Sequence, residues 1–242
     1  MGKIIFCNVA WMDNYDGNDT KFSNGGEWVK LNNSAGEYKN FYKYEDGYLR
    51  GYVKPVNFTI RAENFNESKK IDAVNDVLVI WVSTPPDEAG RRVIGWYKNA
   101  TVFRKPKEDE YSRCFFIKAK KEDGVLLNTS DRNKSIYIPR SLDVGYGMGQ
   151  SNTWFAKEEK SKNKIEEVIK FIDYYEEHRC IDPNRKNISR KKEINKINNS
   201  MKKTERKKIL RRKSKCMGCE NNNEGWCKKY KGWCSRVKKS CR

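Results

Sequence analysis

The chain has 242 residues and a formal net charge of +19, but this charge is unevenly distributed. Residues 1–184 carry 29 Lys/Arg and 28 Asp/Glu, whereas residues 185–215 carry 15 Lys/Arg and two acidic residues. No apolar stretch reaches the roughly 18 residues of a transmembrane helix, and Asp13 and Asp16 soon follow the short apolar start, which argues against a signal peptide. We therefore expect a cytoplasmic protein with a nearly neutral body, residues 1–180, and a basic tail.

The first 140 residues are predicted to form short β-strands separated by turns. Strand-like patterns occupy residues 3–12, 24–31, 47–60, 74–86, 93–104, 113–120, 124–128 and 135–140. The near-continuous apolar run from Val77 to Val82 indicates a strand buried on both faces, and residues 87–90 turn it back as a hairpin. Pro55 has no N–H to donate to a β-ladder, so it marks residues 47–60 as an edge strand.

A glycine-rich loop and a helix complete the predicted body. The loop is VGYGMGQSNTWFA, residues 144–156, and in residues 164–178 apolar side chains recur at i, i+3, i+4 and i+7. Many short strands with one closing helix predict an α+β fold, a small twisted β-barrel or half-barrel.

Residues 181–215 are low in complexity and are predicted to form a basic linker that is partly helical or disordered. Their charge predicts a nucleic-acid partner, and no membrane, because the run contains no aromatic residue. The alternative is a solvated linker without a partner. Phosphate contacts are predicted for Arg190, Lys191, Lys192, Lys207, Lys208, Arg211 and Arg212.

Residues 216–242 form a cysteine-rich tail that is too short to build its own core. Cys216 and Cys219 have the C-x-x-C spacing with which two thiolates reach one tetrahedral ion, so structural zinc is favoured over an iron–sulfur cluster, free thiols or disulfides. Cys227 is the third expected ligand, and Cys234 and Cys241 compete for the fourth position.

The sequence predicts no catalytic residues. His178 is the single histidine, and the glycine-rich loop lacks both the GxGxxG register and the following lysine of a nucleotide-binding loop. A nuclease with unrecognised carboxylates stays open as an alternative.

Several large rings lie beside glycine, amide or charged residues. Trp96 and Tyr97 interrupt a strand-like segment directly before Lys98 and Asn99. Packing explains any one of these rings, but the set is typical of a pocket for one planar base, where rings stack on the base and amides contact its edge.

The segments that carry these rings resemble the PUA superfamily, in particular its EVE and YTH-type members. The similarity rests on KIIFCNVAWM, VLVIWVSTPP, RRVIGWYKNATVFR and GYGMGQSNTWFA. It is closer to uncharacterised bacterial proteins and to N-terminal domains of HNH-type endonucleases that share IIFCNVAWM, GWYKNA and GxGxGQSNxW, and it covers residues 1–178. It implies a β-barrel whose aromatic cage takes up a modified base, as the specificity module of a restriction system.

Carried to this chain, the resemblance implies a base pocket built from rings and edge-reading polar groups. The ring candidates are Trp11, Trp28, Trp96, Tyr97 and Trp154, the edge-reading candidates are Asn99, Ser151 and Asn152, and Lys98 is expected to contact phosphate. Where those nucleases carry an HNH domain, this chain has the basic linker and the cysteine cluster, so sensing or recruiting is favoured over cleavage.

The sequence thus predicts a non-enzymatic binder of nucleic acid, DNA rather than RNA, that recognises a modified base such as a methylated one. A separate nuclease is a candidate partner. Two alternatives stay open: a nuclease or catalytic subunit of a modification-dependent restriction system, and a small-ligand or protein-interaction module that its basic tail tethers to nucleic acid.

Overall fold

A computed structural model describes residues 2–23 and 36–179 and the backbone of three short strands in the tail. The chain divides into two compact units, Met1–Glu176 and Glu177–Arg242. The limits predicted at residues 180 and 215 stay predictions. Within the described part of the chain, no helix is both long enough and apolar enough to cross a membrane.

Eight strands of the first unit form one mixed sheet. They are β1 (Lys3–Asn8), β2 (Tyr48–Gly51), β3 (Ala73–Ser83), β4 (Arg91–Glu108), β5 (Cys114–Lys120), β6 (Gly124–Leu126), β7 (Tyr137–Ile138) and β8 (Thr153–Trp154). The helices are α1 (Thr129–Arg132), α2 (Ser141–Val144) and α3 (Lys162–Arg179), with short 3₁₀ turns at Val56–Phe58, Ala62–Phe65, Lys121–Asp123 and Glu159–Ser161.

The α+β class predicted from the sequence is confirmed, but the sheet is open and does not close into a barrel. Its strands follow the order β2-β5-β4-β3-β1-β8, and β6 and β7 pair with further parts of β4. β2 and β8 lie at the two ends of this path. A barrel needs its two edge strands to pair along their length, and these edges have only four and two residues.

The β3–β4 hairpin is the centre of the sheet, as its apolar sequence predicts. Along its other side, β4 pairs successively with β7, β6 and β5. Gly95 allows β6 to approach, because a Cβ atom there would lie 2.4 Å from the carbonyl oxygen of Val125. The hairpin register shifts near Asp76 and Asn99, both with left-handed backbone (φ 58° and 48°), and such bulges bend the strands.

Alternating side chains of β1 and β3 fill two separate cores, one on each face of the sheet. The helix face carries Ile4, Phe6, Ile80, Val82 and Trp96, which pack with Ile165, Val168 and Ile172 of α3. The opposite face carries Ile5, Cys7, Val79, Trp81 and Tyr97, under the segments that follow β1 and β2. This alternation follows from the two-residue period of a β-strand, and burial of each large apolar side chain stabilises the fold by about 1.5–3 kcal/mol.

The described backbone of the second unit forms three two-residue strands, β9 (Asn222–Asn223), β10 (Trp226–Cys227) and β11 (Gly232–Trp233). They are antiparallel in the order β11-β10-β9. Trp226 pairs with Asn223 on one side and with Trp233 on the other.

Candidate functional site

Trp96 and Tyr97 do not face one pocket. They are consecutive residues of β4, so their side chains point to opposite faces of the sheet, and both are fully buried. Trp96 packs edge-on against Tyr175 of α3 at 5.5 Å, whereas Tyr97 packs against Phe41 at 5.3 Å. In this structure both rings are core residues, which differs from their expected role as two walls of a base pocket.

Lys98 is neutralised by the C-terminal part of α3. Its Nζ lies 2.5 Å from Glu176 Oε2 and 3.8 Å from Asp173 Oδ1. The other oxygen of Glu176 accepts a hydrogen bond from Trp96 Nε1 at 2.7 Å. This arrangement fastens α3 to β4, so a phosphate contact by Lys98 would have to compete with an existing ion pair.

The backbone conformation at position 99 explains why an asparagine follows the ring pair so closely. It has φ 48° in the middle of β4, and asparagine tolerates this left-handed conformation better than most residues do. Its side chain is exposed and donates to Asp123 Oδ1 at 3.1 Å. Asn99 therefore serves the bend of the hairpin, on the exposed surface of the bulge.

The remaining predicted rings are also apart. Trp154 lies on the helix face, 7 % exposed, with its ring 4.7 Å from Phe6. Trp11 is 6 % exposed and belongs to the core of the opposite face. Trp28 lies outside the described residues. The described rings of the expected cage are thus divided between two cores.

Of the predicted polar residues, Asn152 lies in a cluster with two residues that the sequence did not single out, Asn8 and Arg91. Asn152 lies at the end of the glycine-rich loop, where its backbone oxygen accepts from the N–H of Asn8 at 2.8 Å. The Nδ2 of Asn8 donates to Asn152 Oδ1 at 3.3 Å, and the Nε of Arg91 donates to Asn8 Oδ1 at 3.2 Å. Residues 8, 91 and 152 are far apart in sequence, and the pairing of β1 with β3 and β8 brings them together. We call these three residues the amide–arginine cluster.

Arg91 also holds the glycine-rich loop in place. Its Nη1 donates to the carbonyl oxygen of Met148 and its Nη2 to that of Gly149, both at 3.2 Å. Burial and the neighbouring Arg140 lower the pKa of Arg91 below its ordinary value. Within residues 2–23 and 36–179, neither arginine forms an ion pair with a carboxylate. Arg91 and Arg140 therefore lie beside the loop with no carboxylate partner among the described residues.

The amide–arginine cluster retains hydrogen-bonding capacity that can serve a ligand. Each carboxamide has two N–H donors and two lone pairs, and the contacts above use only part of them. Asn152 is half-buried, with Nδ2 3.4 Å from the carbonyl oxygen of Lys54. Ser151 is also half-buried, and its hydroxyl accepts from the backbone N–H of Thr153 at 3.1 Å. Such groups can contact the edge of a planar base or an anionic oxygen.

A buried arginine fixes the segment that leaves β1. The guanidinium of Arg132 is 1 % exposed and donates to the carbonyl oxygens of Met12 and Asp13 at 2.6 Å and of Leu127 at 2.7 Å. It packs over the ring of Trp11, 5.6 Å from the ring centre, and burial lowers its pKa. The Trp11 ring, three residues beyond Asn8, thus packs against a buried guanidinium that hydrogen bonds hold in place.

Glu37 is a carboxylate of this region that the sequence did not single out. Its Oε1 accepts the backbone N–H of Ala10 at 2.8 Å, and no ion pair of Glu37 occurs within the described residues. Burial raises the pKa of Glu37 above its ordinary value. The sequence offers no local signal for this contact, because Ala10 and Glu37 are 27 positions apart.

Replacing Glu37 with glutamine is expected to stabilise the body at pH 7. A carboxyl group with a raised pKa in the folded state favours folding most below its unfolded-state pKa, and this advantage is lost as the pH rises through the folded-state pKa. Glutamine keeps an acceptor for Ala10 and removes the ionisation. Urea unfolding should show a higher midpoint for Glu37→Gln at pH 7 and a difference close to zero at pH 4. The exposed Glu122→Gln should show no such pH dependence, and an equal gain at both pH values would contradict the role of burial.

The other predicted site residues lie outside the described part of the chain. These are the linker cations Arg190, Lys191, Lys192, Lys207, Lys208, Arg211 and Arg212, together with the side chains of Cys216, Cys219, Cys227, Cys234 and Cys241. Among the described residues, no group of three or more His, Cys, Asp or Glu side chains is placed to hold a metal ion. Zinc in the tail stays a prediction.

Comparisons with known proteins identified no relative of this chain. No protein-family model matches the chain, and searches of curated proteins and of solved structures found no significant match.

Proposed function

We propose that this protein binds nucleic acid and recognises a modified base through the amide–arginine cluster at the carboxyl end of β1. The observation that supports this most directly is the convergence of Asn8, Arg91 and Asn152 at the glycine-rich loop. The proposal also includes a PUA-like fold of the EVE type for the body.

The division of charge within the chain supports the same proposal. Phosphate contacts supply most of the affinity of nucleic-acid binders, and contacts to base edges supply specificity. Here the basic linker would supply the first and the nearly neutral body the second. A sensor or recruiter in a restriction or defence system, acting on DNA with a separate nuclease, is the role that this division fits best. The tail, with structural zinc, would then be an accessory module.

The test is base discrimination by Asn152→Ala. Wild type and variant would be titrated against DNA and RNA duplexes and single strands, each with and without methylated or hydroxymethylated bases. We expect wild type to prefer one modified base, and Asn152→Ala to lose about 1–3 kcal/mol of that preference, because one good edge contact carries about this much discrimination. The exposed Asn163→Ala of α3 is the matched control.

Two results would count against this function. If wild type bound every polymer alike with a steep dependence on salt, the linker alone would be responsible for binding. If neither protein bound nucleic acid, a small-ligand or protein-interaction module would be the better description.

A further inference from the structure

One loop of the body presents apolar side chains directly to solvent. Val56, Asn57 and Phe58 form a tight turn between β2 and β3, which we call the apolar tip. Val56 is 63 % exposed and Phe58 is 40 % exposed, and these are two of the few large apolar side chains that the described body leaves in water. Exposed apolar groups at the end of a projecting turn often mark an interaction site.

The backbone of the apolar tip is strained. Asn57 and Phe58 both have left-handed backbone, with φ 54° and 52°, a conformation that phenylalanine rarely adopts. The N–H of Phe58 donates to the carbonyl oxygen of Pro55 at 3.1 Å, and the Phe58 ring packs edge-on against Phe116 at 5.2 Å. Strain that is held in place by surrounding contacts tends to occur where a loop meets a ligand.

Cations flank the apolar tip on both sides. Lys54 and Arg61 are exposed, and the Nζ of Lys105 lies 2.9 Å from Thr59 Oγ1. None of these three cations forms an ion pair with a carboxylate of the described residues. Apolar side chains between uncompensated cations match a nucleic-acid duplex, whose stacked bases lie between two rows of phosphates.

The apolar tip is also continuous with the candidate site. The carbonyl oxygen of Lys54 is the acceptor for Asn152 Nδ2 at 3.4 Å, so the loop begins at the amide–arginine cluster. A base taken out of a duplex at that cluster would leave a gap in the stack beside it. Apolar wedges fill or open such gaps in many proteins that deform DNA.

We propose that the apolar tip is a wedge that inserts into a nucleic-acid duplex beside the base taken up at the amide–arginine cluster. Val56 and Phe58 would enter the base stack, and Lys54, Arg61 and Lys105 would contact the flanking phosphates. The proposal rests on the proposed function in that it assigns the substrate class, double-stranded rather than single-stranded nucleic acid.

The test compares wild type with Val56→Ser in the full-length chain. Each protein would be titrated against two 20-base-pair duplexes that share the preferred modified base, one fully paired and one with that base mismatched. A mismatched base is already partly unstacked, so the wedge is needed only for the paired duplex. We expect Val56→Ser to weaken binding to the paired duplex about tenfold and to the mismatched duplex less than about twofold. The basic linker contributes equally to both duplexes and cancels in their ratio.

A spectroscopic arm reports the same event. 2-Aminopurine placed next to the target base should brighten when wild type binds and should remain dim with Val56→Ser. Ile169→Ser is the matched control, because Ile169 is an exposed apolar residue of α3, away from the loop. Both variants change exposed side chains and should keep the thermal midpoint of wild type.

The outcomes separate the two proposals. If wild type prefers a modified base and Val56→Ser weakens both duplexes equally or not at all, the wedge is wrong and the proposed function stands. If no modified base is preferred, the proposed function fails, and the same pair of duplexes without modification then decides on the wedge. If wild type bound no duplex but preferred a modified base in single strands, the wedge would be wrong and the proposed function would stand. If wild type bound no nucleic acid of any kind, both would be overturned.

Discussion

Trp96→Ala is expected to destabilise the body by about 3–5 kcal/mol, the usual cost of emptying a fully buried aromatic site. The ring is 0 % exposed between β4 and α3, and its indole N–H donates to Glu176 at 2.7 Å. Trp96→Phe keeps one ring in the site but loses part of the packing and the hydrogen bond to Glu176, which keeps its ion pair with Lys98, so it should cost less, about 1–3 kcal/mol. Urea unfolding followed by circular dichroism would give both values.

The exposed Tyr111→Ala is the control for loss of an aromatic side chain. Tyr111 is 65 % exposed, and its removal should change the free energy of unfolding by less than about 0.5 kcal/mol. A cost below about 1 kcal/mol for Trp96→Ala would mean that Trp96 is not packed as described, and an open pocket wall would again be the better interpretation. The result therefore separates a core role for Trp96 from a ligand-binding role. A large loss of stability would also make Trp96→Ala an unsuitable probe of base recognition, since folding and binding would change together.

Much of the secondary structure could be predicted because it follows from local patterns. The apolar run from Val77 to Val82 predicted the central strand, and β3 extends from Ala73 to Ser83. The helical spacing in residues 164–178 predicted α3, which covers Lys162–Arg179. Pro55 indicated that the preceding strand lies at an edge, and within the described residues β2 pairs with β5 alone.

The placement of Trp96 and Tyr97 on opposite faces of the sheet could have been predicted from the sequence. Neighbours in a β-strand point to opposite faces, so two adjacent rings cannot both line one pocket unless a bulge intervenes. The hairpin register shifts on both sides of these rings, near Ile94 and near Asn99, but not between them, so their alternation is intact. An asparagine in a strand-like run was itself a signal for such a bend, since asparagine accepts a positive φ.

The candidate site could not be predicted because it depends on long-range pairing. Asn8 and Arg91 are 83 positions apart, and they meet because β3 lies parallel to β1 while the short β8 adds to its other side. No local pattern predicts the parallel pairing of β1 with β3, because the connection between these two strands passes through β2 and two 3₁₀ turns. The sheet is open for a related reason, because the lengths of its edge strands depend on which segments find partners.

Neutralising four cations of the linker is expected to change the salt dependence of nucleic-acid binding more than any substitution in the body. The logarithm of the binding constant falls with the logarithm of salt concentration at a slope of about −0.9 per phosphate contact. Replacing Lys207, Lys208, Arg211 and Arg212 with glutamine should therefore reduce the slope by up to about 3.6, if all four contact phosphate. Affinity near 0.15 M salt should fall strongly, and any preference for a modified base should stay unchanged, because phosphate contacts carry no sequence information.

A matched variant removes the same charge from the surface of the body. Lys43, Lys120, Lys121 and Lys134 are exposed, and their replacement with glutamine changes the net charge equally. If the slope depended only on net charge, both variants would reduce it alike, and the linker would have no special role. If instead the linker variant lost base preference and kept its slope, the division of labour between body and linker would be reversed. A slope that falls only in the linker variant, with preference preserved, assigns phosphate binding to the linker and leaves base recognition to the amide–arginine cluster.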